Sequence, residues 1–329
     1  MRQVTELLRA EARARWFFLA LTQSAIGTGA GYVALLLIAY ERYESAWAIT
    51  LVLLADLLPA MLLGPVFGAA ADRWSRRGCM VVSDLLRGVA FVGIALVDSY
   101  LATLALALLA GVGTGLFTPA SLAALPSVTT AKRAPAATAL YGVTADIGFT
   151  LGPAVAALAL LVASPQDVTL VNGVTFALSA LILVRLPFGA VTASAEAPAA
   201  GALQLLRDAR EGLKALAAVP GARAVIAGSS AALFFGGLFN VAELPFAKTE
   251  ISADAAGFSL LVASFGLGFV GGSLSGSKGG GVQRLRRRFI LGMVLDGLGV
   301  LACAVTTSIE VAALAFAVAG AGNGMYLVH

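Results

Sequence analysis

The sequence is short of nearly everything a water-soluble enzyme works with. Its 329 residues include one histidine, His329 at the last position, and two cysteines, Cys79 and Cys303. One histidine excludes a histidine-based metal cluster, a serine–histidine–aspartate triad and a histidine proton relay. Two distant cysteines, each at or inside an apolar stretch, offer neither a disulfide framework nor a metal-ligand spacing. Charged residues make up only 12% of the chain, about half the share usual in soluble domains. No glycine-rich loop runs into Lys-Ser/Thr, so ATP-driven work is not supported and no cofactor is expected. The alternating pattern of a membrane β-barrel is also absent. An integral-membrane enzyme has no catalytic constellation to rest on.

What is present is apolar. Hydrophobic residues are 59% of the chain and mean hydropathy is +0.92. Ten apolar stretches lie at roughly 16–40, 46–71, 79–97, 100–121, 136–163, 168–187, 223–247, 255–277, 289–307 and 310–328. Each is near the ~20 residues a helix needs to cross a bilayer, and helices satisfy their own backbone groups in lipid. The 37 glycines suit helices that pack closely through small residues.

The few positive charges carry the topology. Of 22 Lys and Arg, all but Arg42, Arg87 and Lys248 lie before the first stretch or in alternate connections thereafter. Basic residues are retained on the cytoplasmic side. A multi-pass protein of the inner (plasma) membrane with a cytoplasmic amino terminus is therefore expected. The basic balance, pI about 9.3, is this topology signal and not a nucleic-acid footprint. The amino-terminal region mixes Glu6 and Glu11 with arginines ahead of a long apolar run, which is no cleavable signal.

Organisation follows from one long polar interruption. Residues 1–187 are expected to form a six-helix transmembrane bundle, and 223–329 an incomplete second bundle of four helices. Residues 188–222 form a cytoplasmic loop with an interfacial or linker helix, given the apolar spacing of Leu203, Leu206, Leu213 and Leu216. The halves echo each other: basic loops follow the second and eighth stretches, with Asp84 and Asp296 just beyond. Repeats of this kind build transporters that rock about a midplane site. Six plus six would complete the repeat, so the chain is expected to be truncated after its tenth helix.

Two motifs carry a resemblance. Gly68 to Arg77 reads GAAADRWSRR, which resembles the loop signature of the major facilitator superfamily, with Ser75 where the family usually has glycine. Gly148, Gly152 and Pro153 resemble the antiporter motif of exporter branches in that superfamily. Phe117, Pro119, Ala120, Ala124 and Pro126 look like the corresponding stretch of the drug, macrolide and siderophore exporters. The resemblance implies a major facilitator fold, all-α, with about ten of twelve transmembrane helices. It implies a gating loop of Gly68, Asp72, Arg73, Arg76 and Arg77, with Gly68 letting helix ends approach and Asp84 and Arg87 pairing to brace the loop. It implies alternating-access export of lipophilic small molecules, with protons as the coupling ion. An uptake permease or a non-transporting membrane module are the alternatives.

Charges inside the membrane are costly and need a partner or a task. Asp146, midway along the fifth stretch, is the leading proton-carrier candidate, followed by Glu243 and Asp56; Asp296 reads as the counterpart of Asp84. Substrate-path candidates, on helices that line the path in this superfamily, are Gln23, Phe235, Asn240, Asn323 and Tyr326, with Ser24, Thr28, Phe234 and Phe239 beside them. Aromatics with few polar groups suit lipophilic solutes, cationic ones included. The expected partners are a small-molecule substrate, protons and membrane lipid, with no metal and no nucleic acid, and a monomer is expected.

Overall fold

A computed structural model describes residues 2–188, 222–276 and 282–327. The loop at 188–222, including the expected interfacial helix, falls almost wholly outside the described residues. Those residues form α1 (Arg2–Ala10), α2 (Ala12–Tyr43), α3 (Ala46–Arg73), α4 (Arg76–Leu96), α5 (Tyr100–Val128), α6 (Ala134–Ala159), α7 (Pro165–Arg185), α8 (Ala222–Thr249), α9 (Ala255–Gly276), α10 (Val282–Cys303) and α11 (Ile309–Leu327), and no strand is found among them. Helices α2 to α11 correspond in order to the ten apolar stretches. Eight of them, α2 to α7, α9 and α11, are long and apolar enough to cross a membrane.

The short connections start helices by capping. The side chains of Ser45, Ser75, Ser99 and Ser164 each accept from a backbone N–H of the first turn they precede. Ser164 and Asp167 form a reciprocal capping box, satisfying orphan donors that lipid cannot. Glu44, at φ 45°, ends α2 in the left-handed conformation.

Two ends of the bundle are distinct. At one end Glu11 accepts from Thr130 and Arg133, which ties the α1–α2 junction to the α5–α6 connection. This end carries Arg76, Arg77, Lys132 and Arg133 and is called the basic end. At the far end Arg42 pairs with Asp98 at 3.3 Å.

Within the first half, α2 packs on α6 and α7, α5 on α3 and α4, and α4 on α7; in the second, α11 packs on α9 and α10. The principal seam between the halves is α6 against α9. Without a hydrophobic drive in lipid, close approach comes from small residues. A Cβ at Gly148 would lie 2.7 Å from the Ala25 carbonyl oxygen of α2, and the Cβ of an alanine at Gly152 would collide with Gly29. The antiporter-like glycines thus lie at the α2–α6 crossing. Leucines and valines such as Leu62, Leu101 and Val162 are left exposed on the outside, as lipid requires.

Two of the three apolar cores among the described residues lie at opposite ends. The far-end core joins Leu36, Ile49, Ile94 and Val168 to Leu244, Phe258, Leu261 and Phe316, so both halves contribute. The basic-end core, with Leu7, Phe17, Met80, Leu125 and Leu183, draws on the first half alone.

Helix α10 starts earlier than the apolar stretch suggests. Arg284, Arg286, Arg287 and Arg288 lie on its opening turns instead of in a loop. Asp296 is therefore fourteen residues past Val282, whereas Asp84 is eight past Arg76. At about 1.5 Å per residue these depths are roughly 21 and 12 Å. Measured from its own helix start, Asp296 thus lies deeper than Asp84.

Candidate transport cavity

One large cavity of about 1330 Å³ lies between the halves. Helix α2 gives it a single stripe, Leu21, Ser24, Ala25, Thr28, Gly29 and Tyr32, at the i, i+3, i+4 spacing of one face. Helix α6 gives Tyr141, Thr144, Ala145, Gly148, Phe149 and Pro153; the second half gives Phe239, Asn240, Glu243, Phe265, Asp296, Asn323 and Tyr326 among others. The far-end core seals one side with residues of both halves. On the basic side no such shared apolar seal is found among the described residues.

The wall is mostly apolar, with a few convergent charges. Asp56, Glu243 and Asp296 line it, and Arg87 is the lining cation among the described residues. Arg87 is bonded to Asp84, its buried neighbour at i−3. Its guanidinium carbon stands 4.3 Å from the ring centroids of both Phe117 and Phe176. Gly113 makes this possible: a Cβ there would lie 2.8 Å from Arg87 Cγ and 2.9 Å from the Ser83 carbonyl oxygen. In the second half, Asn323 Nδ2 donates to the Tyr326 hydroxyl at 2.8 Å, and that hydroxyl donates to Asp296 Oδ2 at 3.3 Å.

Asn240, Asn323 and Tyr326 line the cavity, as do Ser24, Thr28 and Phe239. The side chain of Phe235, with that of Phe234, lies outside the described residues. Gln23 does not line the cavity. It sits one residue off the α2 stripe, turned toward α7, and its amide donates to the Thr175 carbonyl at 3.0 Å.

Asp146 is also off the cavity wall, although Ala145 and Phe149 are on it. It lies one turn before Thr150, whose hydroxyl donates to the Gly266 carbonyl of α9 at 3.2 Å. Asp146 therefore belongs to the seam-facing side of α6.

The Gly68–Arg77 loop makes few contacts with the rest of the described residues. A Cβ at Gly68 would meet nothing within 4 Å, so the expected close approach of helices is missing there. Asp72 and Arg73 are exposed, and neither makes a hydrogen bond or ion pair among the described residues. Arg77 Nη1 donates to the Val184 carbonyl at 3.4 Å within the same half. Arg87 and Asp84 do pair, but Arg87 faces the cavity instead of bracing the loop.

Sequence reasoning missed Tyr32 and Tyr141 on the cavity wall. Tyr141 shares a 2.8 Å hydrogen bond with Ser121 Oγ. The stripe of small and polar residues ending at Tyr32 was the available signal.

Comparison with known proteins agrees with this architecture. The chain is 27% identical over 200 residues to an uncharacterized MFS-type transporter, YfiS, of Bacillus subtilis, covering 60% of this chain and 48% of the relative. It is 29% identical over 174 residues to the multidrug efflux pump Tap of Mycobacterium tuberculosis, covering 50% and 41%. The chain thus spans about half the length of the curated relatives it matches. A bacterial homologue of the human lysosomal transporter Spinster, solved in an inward-facing and occupied conformation, superposes with TM-score 0.71 at 16% identity, covering 96% of this chain and 72% of that one. A D-xylose–proton symporter superposes with TM-score 0.66 at 15% identity, covering 95% and 80%. The sequence profile of the Major Facilitator Superfamily matches residues 16–329. With ten long helices in two packed groups around a central cavity, this chain belongs to the Major Facilitator Superfamily.

Proposed function

We propose that this chain works as a secondary transporter that exports lipophilic small molecules by alternating access, coupled to protons, with its basic end in the cytoplasm. The observation that carries this reading is the cavity between the halves, sealed at the far end by a core both halves build. A midplane cavity reached from one side is one of the two states that rocking halves require. In the complementary state the basic end closes, and the gating loop of Asp72, Arg73, Arg76 and Arg77 becomes its latch. The positive-inside bias orients the chain, so the state described is open to the cytoplasm.

Proton coupling is assigned to carboxylates on the cavity wall, Asp56, Glu243 and Asp296, in place of Asp146. Each would alternate between a solvated and a sealed environment as the halves rock, which is what a carrier needs. Export is favoured by the glycines of α6 and by the efflux pump among the relatives. The sugar–proton symporter of the same fold keeps uptake as the rival direction.

The test is accumulation of a fluorescent lipophilic dye in energised cells expressing the gene. Lower accumulation than in control cells, abolished by collapsing the proton gradient, is the expected result. Higher accumulation would reverse the direction to uptake. No difference would leave a membrane module that moves nothing.

A further inference from the structure

Among the described residues, Glu243 is the least explained charge. Its residue is only 5% exposed, it sits on the cavity wall, and it has no hydrogen-bond or ion-pair partner among the described residues. Asp56, also on the wall and also without such a partner, comes from α3 in the other half. Tyr32 of α2 lies within electrostatic reach of both carboxylates, and α8 touches both α2 and α3. Counted from their far ends at about 1.5 Å per residue, Tyr32, Asp56 and Glu243 lie roughly 16, 15 and 9 Å deep. They gather at the sealed bottom of the cavity.

We propose that Asp56, Tyr32 and Glu243 form a site for the positive charge of a lipophilic organic monocation, which bridges the two halves. The inference rests on the transport reading above and gives it a substrate class. A buried carboxylate without a partner is costly, and an opposite charge from the ligand relieves that cost. The cavity's own cation does so only in part: Arg87 is bonded to Asp84 and lies within electrostatic reach of Asp56, but Glu243 has no such cation among the described residues. An apolar body is met by aromatic faces: Phe239, one turn before Glu243, stacks on Phe265 with centroids 6.4 Å apart, and such faces attract cations as well. A divalent metal is a poorer fit, since no group of three or more metal-type ligands converges among the described residues. A lipophilic anion would find no free cation on the described wall, because the guanidinium of Arg87 is held by Asp84.

The experiment is equilibrium binding of tetraphenylphosphonium, tetraphenylborate and uncharged triphenylphosphine oxide to the purified chain in lipid nanodiscs. The expected result is that tetraphenylphosphonium binds at least about tenfold more tightly than the other two. Glu243→Gln and Asp56→Asn should each lower its affinity about tenfold, the loss of one charge-assisted contact, and leave the uncharged probe unaffected. Asp98→Asn, outside the cavity, is the control. If one variant fails to fold, the other variant and the charge series on the unaltered chain still decide. Equal binding of all three probes, or tetraphenylphosphonium binding indifferent to both variants, overturns the cation site while the lipophile cavity stands. Binding of none of them, with no dye transport in cells, overturns the transport reading itself.

Discussion

Lys248 Nζ, in the last turn of α8, lies 3.4 Å from Glu41 Oε1 near the end of α2, an ion pair that joins the halves at the far end. It sits beside the core that both halves share, with Leu244 one turn earlier on α8 and Ala247 the preceding residue. Both side chains are partly exposed, so the pair contributes only about 0.2–1 kcal/mol. That is little against unfolding but enough to bias two states of similar energy. Glu41→Lys should raise far-end accessibility, read as labelling of a cysteine placed at Val97 by an impermeant maleimide. Glu41→Lys with Lys248→Glu should restore protection. Unchanged labelling in the single variant would remove the pair from the far-end closure.

The pair of Asp84 and Arg87 makes a stronger claim on stability. Both are buried, and Arg87 lies between two phenylalanine rings. Removing one partner of a buried pair costs about 3–5 kcal/mol because the other charge is stranded. Arg87→Gln and Asp84→Asn should each lower the melting temperature in detergent sharply, and the double variant should recover most of the loss. Additive losses in the double variant would show that the two do not act as a pair.

Glycines of one helix should differ by their neighbours. Gly152→Ala puts a Cβ 2.7 Å from the Gly29 carbonyl carbon, whereas Gly142→Ala, also on α6, meets nothing within 4 Å. Overpacking costs about 1–3 kcal/mol, while a surface glycine-to-alanine change in a helix is neutral or stabilising. Thermal unfolding of the two variants should therefore move in opposite directions or differ clearly. Similar values would contradict the tight α2–α6 crossing.

Acid should loosen the basic end. Burial pushes the Glu11 carboxyl up, but hydrogen bonds from Arg133 and Thr130 outweigh it and hold the group below its ordinary value of 4.5. A lowered folded value means the clasp's contribution is complete above about pH 4.5 and is lost as pH falls through the folded value. Limited proteolysis between α1 and α2 should accelerate at acid pH in the unaltered chain. In Glu11→Gln it should be fast already at neutral pH.

Asp72 offers a contrast between stability and function. It is exposed and without a partner among the described residues, so Asp72→Asn should leave the melting temperature within about 0.5 kcal/mol equivalent. If the loop latches the basic end in the complementary state, dye efflux should fall several-fold with membrane insertion intact. Unchanged efflux would remove the latch role.

The sequence by itself determined the helices and how they are threaded. Apolar stretches of crossing length set ten long helices, the placement of Arg76, Lys132 and their like set which connections share an end, and Ser-led connections set where α3, α4, α5 and α7 begin. The loop and α6 motifs pointed to the family. The tertiary structure alone decided which face of each helix looks inward. A membrane helix is apolar all round, so its sequence shows little periodic difference between the lipid face and the packed face. Asp146, Gln23 and Arg87 illustrate the consequence. Asp146 is midway along α6 but turns toward the α9 seam, Gln23 turns to the Thr175 carbonyl, and Arg87 turns into the cavity because Gly113 leaves it room. Those directions depend on where glycines let neighbouring helices approach, a relation between segments far apart in the chain.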